Sequence, residues 1–227
     1  MKNKLHNYFT GHALALAALL SCSVGSVQAE ITFYNSQVSY LAAISAPGVD
    51  HFDDLPFWAQ GPGYVERMAG KHSYVAWSVA GPGDDSLLYS AGSGSDAWLS
   101  TDQATDYLTF GYFSEKVYGI GGFYFGTDAA GAYKPGQTIR LNVLDADGTE
   151  KLILVDNTTT GSFFGFVSTS QLEAFQVSAV QPDGGESWVA GNNLTLGNVA
   201  AVPEPSSYAL LMAGLGLVGA AARRRNS

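Results

Sequence analysis

The chain has 227 residues, with 11 Lys and Arg against 20 Asp and Glu, 46% hydrophobic residues and one cysteine. A net formal charge of −9 works against nucleic acid or anionic lipid as a partner, and a single cysteine leaves no intrachain disulfide. With both ends set aside, residues 30–201 hold six basic and nineteen acidic residues, a formal charge of −13, on a stretch long enough for one domain with a sizeable core.

The first 29 residues read as a secretory signal peptide: Lys2 and Lys4 precede an apolar stretch at 13–20, and Val27-Gln28-Ala29 supplies the small residues of a cleavage site between Ala29 and Glu30. Leu19-Leu20-Ser21-Cys22 partly resembles a lipobox, but Leu20 stands where a small residue is usual. If Cys22 leaves with the signal, the mature chain has no thiol and no cysteine nucleophile.

Residues 31–34 read as a first strand. Asn35 or Ser36 then caps a short helix through Ile44, with Val38, Leu41 and Ala42 on one face, and Pro47-Gly48 ends it. From there the period changes to two. Strands are expected at 51–55, 73–79, 86–90, 97–100, 107–113, 117–126, 138–144, 151–156, 163–167, 174–180 and 193–197, with turn chemistry at 81–85, 92–96, 145–148 and 182–185. The clearest hairpin runs from 138–144 through the Asp-Gly turn to 151–155; in its first arm Ile139, Leu141 and Val143 alternate with Thr138, Arg140 and Asn142, so one face is buried. Many short strands carrying Phe110, Phe123, Phe125, Phe164, Phe166 and Phe175 predict a mainly β fold, an antiparallel β-sandwich with one short N-terminal helix. No fixed-period repeat argues for a β-helix or propeller.

Candidate chemistry is sparse. Asp145-Ala146-Asp147-Gly148 opens like a calcium loop but lacks the distal glutamate, and a hairpin turn accounts for it. Hydrolysis needs two facing carboxylates, and none of Glu66, Asp84, Asp85, Glu115 and Glu173 is singled out as a pair. His51 and His72 lie in no nucleophile or zinc signature. Four tryptophans and twelve tyrosines can stack on sugar rings; Trp58 and Tyr64, in the Pro/Gly-rich loop 56–64, are the expected glycan contacts.

Residues 202–227 have three parts: Val202-Pro203-Glu204-Pro205, an uncharged segment within 206–222, and Arg223, Arg224 and Arg225. Both prolines force extended backbone on the motif. The uncharged run 208–222 makes about 22 Å of helix against a bilayer core of about 30 Å, a short transmembrane helix that borrows Ser206, Ser207 and the arginines, with the latter as a membrane-stop cluster on the cytoplasmic side. This tail resembles the PEP-CTERM sorting signal of exported proteins from Gram-negative bacteria that make exopolysaccharide, also catalogued as an ice-binding-protein C-terminal domain. The resemblance implies an exosortase that recognises the motif and removes the tail. It covers the chain from 202 to 225.

The domain also resembles the β-sandwich bodies of other PEP-CTERM proteins, in Phe52-Asp53-Asp54-Leu55, Gly121-Gly122-Phe123-Tyr124-Phe125, the run Phe163 to Ser168 and Asn192-Asn193-Leu194. That likeness implies a jelly-roll similar to carbohydrate-binding modules and no set activity. In such modules an early acid and a late Asp-Asn pair can share a structural calcium; the resemblance implies Asp53 and Asp54 with Asn192 and Asn193, where Asn192 replaces the acid, as ligands of an ion that takes six to eight oxygens. The expected protein is therefore exported through the inner membrane and processed by an exosortase. It then acts in the envelope, at the cell surface or in the extracellular matrix, as a non-catalytic sandwich with extracellular polysaccharide as its glycan partner. The alternatives are a secreted glycan-active hydrolase or lyase and an ice binder; for the last, Thr158-Thr159-Thr160 is an isolated run where a repeating ladder is needed.

Overall fold

Along His72–Val79 every second residue is buried and the intervening ones are half-buried, the period that a strand with one face on a core imposes. The computed structural model describes residues 30–56, 59–79, 86–93, 96–114 and 116–199, with Gly214, Leu215 and Arg223. Its elements in chain order are β1 (Ile31–Tyr34), α1 (Gln37–Ala43), β2 (Ile44–Asp50), β3 (Ala59–Gln60), β4 (Tyr64–Ala69), β5 (His72–Val79), β6 (Leu88–Ser93), β7 (Asp96–Thr101), β8 (Tyr107–Gly111), β9 (Gly119–Thr127), β10 (Ile139–Asp145), β11 (Glu150–Val155), β12 (Phe163–Ser168), β13 (Leu172–Ala179) and β14 (Trp188–Val199).

The strands form two antiparallel sheets. One holds eight strands in the order β1-β12-β9-β14-β7-β6-β3 with β2 also on β14; the other holds six in the order β11-β10-β13-β8-β5-β4. The fold is thus mainly β, a two-sheet antiparallel sandwich with one short helix. Between the sheets lie Leu108, Phe110, Tyr124, Phe166 and Phe175, all buried, with Phe110 and Phe175 stacked at 6.2 Å. The longest strand, β14, pairs with β9 on one side; on the other it meets β7 at Ala190 and Gly191, then β2 from Leu194 onward. Asn193 sits at the changeover with φ +53, in the left-handed region that Asn tolerates better than most residues.

The hairpin of β10 and β11 has the expected register, Ile139 opposite Val155 and Val143 opposite Lys151, with Ile139, Leu141 and Val143 buried. Its turn is built by Asp145, whose Oδ1 accepts the amides of Asp147 and Thr149 while Oδ2 accepts the Ser168 hydroxyl.

Three local expectations are corrected. The expected strand at 51–55 is a turn, because the Asp50 carboxylate accepts the Phe52 amide and Phe52 takes φ +63; the strand lies upstream, at 44–50. Pro47 is tolerated there since β2 pairs with β14 alone, leaving an outer edge where no donor is needed. The helix starts where expected, with Ser36 capping the Ser39 amide, but its buried residue is Tyr40, while Val38 is 79% exposed and Leu41 and Ala42 also face out. The surface beneath α1 explains this. A Cβ at Gly165 would come 2.6 Å from Tyr40 Cδ2 and one at Gly121 3.2 Å from Tyr40 Cε1, so the glycines of β9 and β12 form a hollow that only a flat ring fills. Third, the segment read as loop at 56–64 contains β3 and the start of β4, a strand at 64–69 for which none was expected.

Both end signals, 1–29 and 202–227, lie outside the described residues apart from Gly214, Leu215 and Arg223. That includes Ala29, Val202, Pro203, Glu204, Pro205, Arg224 and Arg225. Among the described residues, no helix is long and apolar enough to cross a membrane.

Candidate functional site

The two outer faces of the sandwich differ. On the eight-stranded sheet, α1 lays Tyr40 over β9 and β12, with its hydroxyl donating to the Thr195 carbonyl at 2.9 Å. Beyond it the loop after β9 returns over the sheet, with Tyr133 6.1 Å from Phe125 and the Trp98 indole donating to the Gly131 carbonyl. That face is largely closed by its own chain.

Among the described residues, no helix or loop is seen to cover the six-stranded sheet in this way. Cross-strand register places Tyr64, Trp77, Thr109, Gln176, Asn142 and Leu152 in one row across all six strands. At ~4.8 Å per strand spacing the row is about 24 Å long. Tyr64 is 64% exposed, and Tyr112, turned out by φ +51 at the end of β8, is 78% exposed. The Trp77 and Tyr112 rings stand 5.4 Å apart. Aromatic faces of this kind offer apolar area beside polar tips, which suits the C–H faces of sugar rings.

Polar groups lie beside the rings. Asn142 donates to Glu150 Oε1 at 2.7 Å, and Arg140 donates to the Tyr107 hydroxyl at 3.4 Å. Thr109 Oγ1, Arg140 Nε and Asn142 Oδ1 are buried and have no partner within the protein. Buried polar atoms are nearly always paired, so three of them on one face mark side chains whose bonding would be completed only by a shift that brings them to the surface. Among the described residues the face holds donors, acceptors and stacking surfaces.

Of the two expected glycan contacts, Tyr64 lies on this face and Trp58 lies outside the described residues. Trp77 carries more of the surface than sequence reasoning assigned to it. The signal was present: alternation through 72–79 turns Trp77 away from the buried Tyr74 and Ala76.

The four candidate calcium ligands have separate engagements. Both Asp54 oxygens accept from Arg67, at 2.6 and 3.3 Å, so a cation already stands beside that carboxylate. Asn192 donates to Asp96 at 2.8 Å, Asn193 bonds to the His51 ring, and Asp53 is exposed. Among the described residues no group of three or more His, Cys, Asp or Glu side chains stands at metal-binding spacing. Arg67 also grips Asp50 with two bonds of 2.7 Å and lies 5.1 Å over the Phe52 ring, while the Tyr74 hydroxyl donates to Asp50 at 2.6 Å. Burial works to lower the Arg67 pKa, but the bonds to Asp50 and Asp54 outweigh it and hold the guanidinium charged. The hydrogen bond from Arg67 pulls the Asp54 carboxyl below its ordinary value. This cluster fixes the turn after β2 against β4 and β5.

Of the acids weighed for hydrolysis, Glu66 and Glu173 are exposed on β4 and β13, strands separated by β5 and β8, while Asp84, Asp85 and Glu115 lie outside the described residues.

Comparison with known proteins gives one family match. Residues 201–225 match the PEP-CTERM protein-sorting motif. No curated protein matches the chain. Among solved structures it is similar to the CBM51-2 and INT domains of Clostridium perfringens ZmpB in complex with GlcNAc, at 13% identity and a TM-score of 0.35, over 70% of this chain and 33% of that one. It is also similar to the CBM22-1 xylan-binding domain of Paenibacillus barcinonensis Xyn10C, at 14% identity and a TM-score of 0.32, over 70% and 98% of the two chains. TmCBM61 in complex with β-1,4-galactotriose matches at 12% identity and a TM-score of 0.27, over 74% and 88%. The chain spans about a third of the length of the ZmpB structure. At these TM-scores the likenesses carry no statement about what this chain binds.

Proposed function

We propose that this chain, with the PEP-CTERM protein-sorting motif at residues 201–225, is an exported protein of a Gram-negative envelope or extracellular matrix whose sandwich binds a polysaccharide without cleaving it. The signal at 1–29 sends it through the inner membrane, the segment 206–222 holds it there, and an exosortase acts at residues 202–205. The sandwich is then left in the polysaccharide outside the cell.

The observation that supports glycan binding is the uncovered face of the six-stranded sheet, where Tyr64, Trp77 and Tyr112 stand beside the unpartnered polar atoms of Thr109, Arg140 and Asn142. With a domain charge of −13, a neutral chain is the expected ligand and a polyuronate is repelled.

Affinity electrophoresis of the full-length protein through gels containing neutral polysaccharides tests this. Retardation by at least one of them, lost in Trp77→Ala and with no new reducing ends, supports the reading. Retardation unchanged in Trp77→Ala overturns the face as the site. Release of reducing ends replaces a binder with a glycan-active hydrolase or lyase.

A further inference from the structure

A second recessed surface lies away from the open sheet, at the end of the sandwich where β14 begins. It is a hollow of about 220 Å³ lined by Tyr89 of β6, Ser100 and Thr101 of β7, Asp102, Asp128 and Trp188. At roughly 30 Å³ per water it has room for about seven waters, well under the ~300 Å³ at which drug-sized pockets begin. That volume suits a single small ring.

The walls are held before anything binds. The Asp102 carboxylate accepts the Leu87 amide at 2.9 Å, and its backbone carbonyl accepts the Trp188 indole N–H at 3.2 Å. Asp128 is exposed, yet its Oδ1 accepts two backbone amides, from Ala130 and Ala132, both at 2.9 Å, which fixes the carboxylate plane. Below the loop, the Gln181 side chain bonds to the carbonyls of Ala104 and Ser187 and accepts the Ser187 amide, tying the approach of β14 to the segment after β7. Two half-buried aromatic rings and two fixed carboxylates thus share one hollow with two hydroxyl side chains, and among the described residues none that lines it is cationic.

Such walls select by chemistry. Tyr89 and Trp188 take an apolar C–H face, carboxylate oxygens accept ligand hydroxyls or an ammonium, and a ligand carboxylate or phosphate meets two like charges. From this arrangement we infer that the hollow is a second sugar site, which takes one terminal pyranose unit carrying no negative charge. It is separate from the open sheet face, and it stands whether or not that face binds a chain.

Its place in the fold suits a chain end. Trp188 opens the twelve-residue β14 and Val199 closes it, so about 37 Å of extended strand separates the hollow from the point where the chain continues towards the sorting motif. The hollow therefore lies at the opposite end of β14 from Val199.

Saturation-transfer NMR of the full-length protein with glucose, glucosamine and glucuronate, followed by titration of any binder, tests this. Binding of glucose or glucosamine, weakened about tenfold or more in both Trp188→Leu and Asp128→Asn, is the expected result, and a loss confined to Trp77→Ala would place the sugar on the open face and overturn it. The two sugars distinguish hydroxyl from ammonium recognition. Asp128→Asn keeps the Oδ1 acceptor that holds the loop, so its effect reads the second carboxylate oxygen even if Trp188→Leu fails to fold. Glucuronate binding as tightly as glucose, sugar binding that survives Asp128→Asn, or transfer to none of the three overturns the inference.

Discussion

The Trp77 indole lies against Gly111: a Cβ at position 111 would come 3.0 Å from Trp77 Cη2 and 3.3 Å from Cζ3. The absence of a side chain on β8 therefore sets how low the ring lies on the sheet and keeps it 5.4 Å from Tyr112. Gly111→Ala should lift the ring out of line at a stability cost of about 1–3 kcal/mol, since the added Cβ meets the Glu173 backbone carbonyl at 3.1 Å as well as the ring. Polysaccharide affinity should fall about tenfold, a loss of about 1.4 kcal/mol. Paired calorimetric titration and thermal unfolding of the two proteins check it; unchanged affinity would show that Trp77 needs no fixed height.

Arg67 supplies a stability test. Its side chain is 9% exposed and that of Asp50 5%, so Arg67→Met leaves a carboxylate stranded in the interior. The expected loss is about 3–5 kcal/mol, the cost of an uncompensated buried charge. Asp54, 72% exposed, contributes little by comparison, and Asp54→Asn should cost about 0–1 kcal/mol. Urea unfolding of both variants separates the two roles. Equal losses would contradict the different burial of the two carboxylates.

At high pH the buried phenols govern. Burial raises the Tyr40, Tyr74 and Tyr124 pKa values above the ordinary phenol range, and the neighbouring Asp50 carboxylate adds to the effect at Tyr74. The folded protein thus keeps protons that the unfolded chain releases from about pH 10. The stability these three contribute is complete below about pH 10 and is lost as pH rises above it. Phenolate absorbance should show three of the twelve tyrosines ionising only together with unfolding, followed by circular dichroism. Smooth titration of all twelve before any loss of structure would count against the burial of these rings.

The strand content was legible wherever alternation was strict, as at 72–79 and 138–155, because one buried face imprints a period of two. Elements that depend on distant partners were not. Nothing local says that Tyr40, not Val38, is the helix residue to bury; that follows from Gly121 and Gly165, which lie far along the chain and meet Tyr40 only in the folded sheet. Asp50 is similar, for its partners Arg67 and Tyr74 turn what reads as strand 51–55 into a turn. The open face was half legible: Tyr64 was identified from loop composition, whereas Thr109, Gln176 and Asn142 join it only through register between strands far apart in sequence.

The sorting tail gives the last test. β14 ends at Val199, and the motif begins at Val202, three residues on. Three residues of extended chain reach only about 10 Å. On the proposed reading, a processing enzyme must therefore work close to the sheet end where Val199 lies opposite Ile44. On that reading the two prolines and Glu204 are what it grips. In cells that contain an exosortase, replacing Pro203, Glu204 and Pro205 together with alanine should leave the protein at the mass of the tailed form and in the membrane fraction, whereas the wild type loses the tail. Inserting a short Gly-Ser spacer after Val199 should instead preserve or speed processing, because it draws the motif away from the domain. Intact-mass measurement of both variants beside the wild type reads each outcome, and a mature mass unchanged by the triple alanine replacement would remove the motif from any part in processing.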